Sequence, residues 1–252
     1  MVRPFCSAAS SGPAPGEHDR AIADATKAIE IDPRLALAYA NRAGSLVGKG
    51  EHDRAIADTT KAIEIDPRLA LAYVNRAAAY NNKGDYNRGI ADATKAIEID
   101  PRLAVAYANR AAAYLGKGDT DRSIEDTTKA IEIDPRLALA YVNLGTAYGR
   151  LGDLDRAIAS YTKAIEINPK AAEAYDNRAK AYLRAGKAAQ ALPDIERFLE
   201  LRPNDAVGLQ GRGLILEALG RWEEAVADFR RSLAINPNLQ GSRNGLQRLE
   251  AR

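Results

Sequence analysis

Seven prolines rule this chain into equal lengths. Pro33, Pro67, Pro101, Pro135, Pro169, Pro203 and Pro237 follow one another at 34 residues, and Gly16, Gly50, Gly84, Gly118, Gly152, Gly186 and Gly220 keep the same interval. The stretch KAIEIDPRLALAY stands unchanged at 27–39, 61–73 and 129–141, and returns at 95–107 with Val105 in place of leucine. A fixed period of this length implies stacked supersecondary units, none of which buries its apolar side alone.

Each period reads as two helices. In PRLALAYVNRAAAYNNKG (67–84), Tyr73, Ala77 and Tyr80 fall on one helical stripe. Asp66 is expected to cap this helix and Pro67 to hold its first position, where the missing N–H is not needed. Gly84 is expected to end it in the left-handed conformation. In DYNRGIADATKAIEID (85–100), Ile90, Ala93, Ala96, Ile97 and Ile99 make a second stripe, and small Gly89 is read as the residue that lets the two helices meet near Ala77. Pro193 falls inside a second helix and is expected to kink it or move its start.

Tyr73, Ala77, Tyr80, Gly84, residues 93–96 and Pro101 together resemble the tetratricopeptide repeat pattern, and the resemblance extends over about residues 16–239. It implies an all-α fold, a right-handed superhelical solenoid of tandem helix-turn-helix repeats whose first helices line a concave surface. The expected organisation is an irregular tail over 1–15 and a single solenoid over 16–252. The solenoid comprises a half repeat at 16–35, repeats at 36–69, 70–103, 104–137, 138–171, 172–205 and 206–239, and a capping helix at 240–252. The half repeat lacks its partner helix, so the apolar side of 16–31 needs some other cover.

Charge and composition narrow the function. Lys+Arg total 36 against 34 Asp+Glu, a formal +2 that argues for neither nucleic acid nor a membrane surface as partner. The one cysteine, Cys6, forms no internal disulfide and has no histidine positioned for a dyad. No apolar run approaches the roughly 20 residues of a membrane span, and the proline-broken start lacks the apolar core of a signal peptide. A cytoplasmic location is the default expectation.

Nothing points to catalysis. His18 and His52 occupy one slot in two copies of GEHDR and read as surface-turn residues, not metal ligands. No glycine-rich nucleotide motif follows a strand. A catalytic residue is needed once, whereas nearly every polar residue here has copies in other periods. The chain is therefore expected to be non-enzymatic, with no catalytic, metal or cofactor site.

Two polar rows remain. Arg42, Arg76, Arg110, Arg178 and Arg212 share a first-helix slot, and Asp58, Asp92, Asp126, Asp194 and Asp228 share a second-helix slot. In the fourth period both charges vanish together, leaving Leu144 and Ser160, which predicts an Arg–Asp ion pair inside each of the other five. The second row is Asn41, Asn75, Asn109, Asn143 and Asn177, with Gly211 in the sixth period. An amide offers both a donor and an acceptor, so these residues are candidates for holding the backbone of an extended peptide; the alternative is that they bond to the neighbouring helix. The resemblance supports the peptide reading, since some tetratricopeptide proteins carry such an asparagine ladder. Leu71, Val74, Val105 and Val142 are the apolar candidates beside the ladder, and Arg150, Lys180 and Arg184 are candidates for an acidic group. Ala40, Val74, Ala108 and Val142 stand where chaperone-binding relatives place the first lysine of a carboxylate clamp, which argues against that clamp here.

The expected function is a protein–protein interaction scaffold that holds an extended protein or peptide segment in its groove. Two alternatives stand beside it: a homodimer formed through 16–31, and the scaffold arm of a larger multidomain protein.

Overall fold

The structure, a computed structural model, describes residues 15–251. Residues 1–14, with Cys6 and nearly all of the expected tail, lie outside the described residues, as does Arg252. Among the described residues there are fourteen α-helices and no strand, in two compact units.

The first unit, Met1–Leu151, holds α1 (Pro15–Ile31), α2 (Ala36–Gly48), α3 (His52–Ile65), α4 (Ala70–Asn82), α5 (Tyr86–Ile99), α6 (Ala104–Lys117), α7 (Thr120–Ile133) and α8 (Ala138–Leu151). The second, Gly152–Arg252, holds α9 (Leu154–Ile167), α10 (Ala172–Arg184), α11 (Ala188–Leu201), α12 (Ala206–Ala218), α13 (Trp222–Ile235) and α14 (Gln240–Glu250). Even-numbered helices are first helices of a repeat, odd-numbered ones second helices. In the first unit α2, α4 and α6 each pack on the second helix that follows and on the one that precedes, and also on the next first helix. The same pattern joins α10, α12 and α14 to their neighbours in the second unit.

Alanine makes this close packing possible. Ala43, Ala55, Ala77, Ala78, Ala111, Ala112, Ala191 and Ala225 are fully buried, so helix backbones approach with little between them. Larger side chains fill what remains: Leu46, Leu115, Ile195 and Phe229 are shut off from solvent, each contributing about 1.5–3 kcal/mol.

The helix ends follow from local chemistry. Gly84 adopts φ +81°, and Gly50, Gly118, Gly152, Gly186 and Gly220 do likewise, closing each hairpin as expected. Asp85, Asp119 and Asp153 accept the backbone N–H of Arg88, Arg122 and Arg156 at the starts of α5, α7 and α9.

Three local expectations need correction. Asp66 and Pro67 do not open α4, which begins at Ala70. Asp66 Oδ1 instead accepts the Arg68 N–H at 2.9 Å while the Leu69 N–H donates to the Asp66 carbonyl at 3.2 Å, so the pair builds the turn before the helix. Pro193 does not move the start of α11, which begins at the slot used by α5 and α9; the proline is exposed. Gly89 makes room mainly for Asn81: a Cβ there would lie 1.9 Å from Asn81 Oδ1, against 3.4 Å from the Ala77 carbonyl oxygen.

Candidate functional site: the first-helix face

The arginine row forms the predicted pairs, and each is bidentate. Arg42 Nε and Nη2 donate to Asp58 Oδ2 and Oδ1, both at 2.7 Å. Arg76–Asp92, Arg110–Asp126, Arg178–Asp194 and Arg212–Asp228 repeat this fork at 2.6–2.8 Å. All five aspartates are buried. The hydrogen bond to aspartate raises each guanidinium above an already high pKa, so these arginines stay charged.

Four of the forks have a third arm. Nη1 of Arg42, Arg76, Arg110 and Arg178 donates to the hydroxyl of Thr26, Thr60, Thr94 and Thr162, on the second helix of the preceding repeat. The arginine therefore ties three helices together. In the fourth period, where Leu144 replaces arginine, Thr128 bonds only its own helix, at the Ile124 carbonyl, and Ser160 bonds the Arg156 carbonyl. The signal available in sequence was the threonine recurring sixteen residues before each of the four arginines.

The asparagine row goes the other way from the peptide-binding expectation. Asn75, Asn109 and Asn143 are buried, and each Nδ2 donates to a backbone carbonyl 35 residues back: Ala40 at 2.9 Å, Val74 at 3.1 Å and Ala108 at 2.9 Å. The amides thus join one first helix to the next and are not open to a partner. The physical reason is close approach: small residues such as Gly44, whose Cβ would lie 3.3 Å from Asn75 Nδ2, bring adjacent first helices within reach of the amide. Asn41 is exposed, and no described first helix precedes it. Asn177 is half-buried.

The apolar candidates divide. Val74 and Val142 are buried and belong to the core. Leu71 is exposed, Val105 is half-buried, and Leu37, in the same slot of the first full repeat, is 48% exposed. These three form an apolar row along α2, α4 and α6. Among the charged candidates, Arg150 donates through Nη1 to the Leu115 carbonyl, and Lys180 pairs with Asp176. Arg184 is exposed in the second unit.

His18 and His52 are half-buried at helix starts instead of standing in surface turns. A Cβ on Gly48 would fall 2.5 Å from His18 Cε1, which places His18 against the last turn of the next first helix. Burial pushes His52 below its ordinary pKa. Among the described residues no group of His, Cys, Asp and Glu is placed to hold a metal ion, and no helix is long and apolar enough to cross a membrane.

Comparison with known proteins agrees with this architecture. Models of the tetratricopeptide repeat match residues 36–69, 59–91, 93–125, 138–171, 160–192 and 177–239. No curated protein matches the chain. Among solved structures, the Cut9–Hcn1 hetero-tetramer of APC/C is similar at TM-score 0.86 and 19% identity, covering 93% of this chain and 46% of that one. This chain thus spans less than half the length of that relative. A tetratricopeptide repeat protein from Parabacteroides merdae is similar at TM-score 0.66 and 20% identity, with 93% of each chain covered. YrrB, described as a protein of this kind with an unusual peptide-binding site, is similar at TM-score 0.56 and 23% identity, covering 75% of this chain and 97% of its own. At these identities the likeness carries the fold. The repeated hairpins and the models that match them show that this chain belongs to the tetratricopeptide repeat family.

Proposed function

We propose that the chain is a non-enzymatic scaffold that binds a protein or peptide partner on the first-helix face of its first unit. The observation that carries this reading is the row of exposed Leu37, exposed Leu71 and half-buried Val105 along helices whose arginines are all held by their own aspartates. Such a row suits alternate side chains of an extended segment laid across successive helices. The buried asparagines hold the face in shape, and the apolar row makes the contacts. YrrB, whose fold is similar, has a peptide-binding site, which supports a protein partner. Arg150, in the same unit, offers positive charge to acidic side chains of such a partner. We further propose that the protein works in an aqueous compartment such as the cytoplasm.

The test compares affinity capture by the full chain and by Leu37→Asp/Leu71→Asp, with quantitative mass spectrometry and circular dichroism on both. Partners enriched by the parent and lost by the variant at unchanged helicity are expected. An identical partner set from both proteins contradicts the reading.

A further inference from the structure

The amino-terminal end of the stack carries half of every joint that the interior completes. Asp24 occupies the slot of Asp58, Asp92 and Asp126, each buried under its arginine, yet Asp24 is exposed and has no ion-pair partner among the described residues. Ala21 occupies the slot of fully buried Ala55 and Ser123, and is exposed. Asn41 occupies the slot of Asn75 and Asn109, and among the described residues no first helix precedes it to offer a carbonyl. Ile31 is 79% exposed and Leu35 41%, whereas Leu69 packs with Tyr39 and Ala40, and Leu103 with Tyr73 and Val74. Every one of these unmet groups faces the place where a first helix lies in the interior repeats.

The interior also says what would fit. A first helix brings an aromatic ring, then an arginine three residues on and an alanine next, as in Tyr73, Arg76 and Ala77 or Tyr107, Arg110 and Ala111. The arginine forks onto the aspartate, the small residues admit close approach, and a carbonyl of the same helix accepts the following asparagine. A second copy of this chain has no such helix to offer. Arg42, Arg76, Arg110, Arg178 and Arg212 are each already bonded to their own aspartate, and terminal α14 carries Leu246 in the arginine slot. In the 34-residue register the chain's own residues before α1 place Phe5 in the tyrosine slot but Ala8 in the arginine slot, sixteen positions ahead of Asp24, so in that register they supply no arginine for it.

We propose that the face formed by Asp24, Ile31, Leu35 and Asn41 docks an amphipathic helix of a partner protein bearing the pattern Tyr-x-x-Arg-Ala, in continuation of the chain's own helix-to-helix interface. The arginine bonds Asp24, the tyrosine covers Leu35, and a carbonyl of the incoming helix receives the Asn41 amide. This surface adjoins the Leu37, Leu71 and Val105 row at Leu37, which stands one turn before Asn41 on α2.

A labelled peptide of residues 104–117, AVAYANRAAAYLGK, titrated with the full chain and followed by fluorescence anisotropy, tests the proposal. Saturable binding is expected. Asp24→Asn in the protein and Arg110→Ala in the peptide should each weaken it by about tenfold or more, and the two changes together should weaken it no further than either alone. Asp121→Asn, an exposed aspartate on α7, should leave it unchanged. Three results overturn the proposal. One is no saturable binding below about 1 mM. Another is binding indifferent to Asp24 and Arg110. The third is a concentration-dependent dimer in sedimentation that the peptide does not dissociate, which would make a second copy the occupant.

Discussion

A guanidinium forked onto one carboxylate has few ways to rearrange, and here the fork recurs at five positions with a threonine behind four of them. Such a pair adds little net stability over an apolar substitute, but removing one partner strands a buried charge. The fork was legible in sequence because Leu144 and Ser160 lose both charges in one period. The third contact is less legible, since Thr128 keeps the same slot sixteen residues before Leu144, where there is no arginine. His52 gives a residue-scale prediction. Burial holds its imidazole below the ordinary 6.5, so the folded chain binds fewer protons than the unfolded one just below that pH. Its share of stability is complete above 6.5 and is lost as pH falls through the lower folded value. Tyr86 occupies the same slot one repeat later. In His52→Tyr, the urea midpoint should fall less between about pH 7 and pH 5 than it does in the parent; an identical pH slope contradicts the assignment.

Helix positions were legible to within a turn, because proline and glycine punctuate every period. The repeat bounds coincide with the first-helix starts, but Asp66 and Pro67 were expected inside α4 because an aspartate before a proline serves a turn as readily as a helix cap, and the sequence pattern is the same for both. The direction of the asparagines was open for a related reason. Their slot lies where the face toward the hollow meets the face toward the neighbouring helix, and only the distance between helices decides which neighbour the amide reaches. The α4–α5 hairpin offers the test at this scale. Gly89 leaves space that Asn81 enters, and Asn81 Oδ1 is buried without a partner. Gly89→Ala alone should destabilise the protein by about 1–3 kcal/mol through overpacking. Joined with Asn81→Val, which copies the Val47 and Ala55 of the preceding hairpin, it should restore parental stability or exceed it. Chemical denaturation of both variants decides, and a double variant no better than the single one contradicts the packing account.

Across the whole molecule, polar residues that recur once per repeat act as joints, which explains why so few of them stand free to bind a partner. The same logic makes the amino-terminal end distinctive. Helix α1 packs on α2, and among the described residues it meets neither the arginine nor the first helix that its interior counterparts receive. Local opening follows missing contacts, so amide hydrogen exchange should be faster in α1 than in α3 and α5, its exact structural counterparts further along. Equal protection in the three helices would mean that the end is covered. The central claim is that the Arg–Asp forks are coupled joints of the stack. Its most direct test is a urea-denaturation cycle of Arg76→Ala, Asp92→Ala and the double variant. A coupling of about 1–3 kcal/mol is predicted, with each single change costing nearly as much as both together. Strictly additive losses would contradict the account.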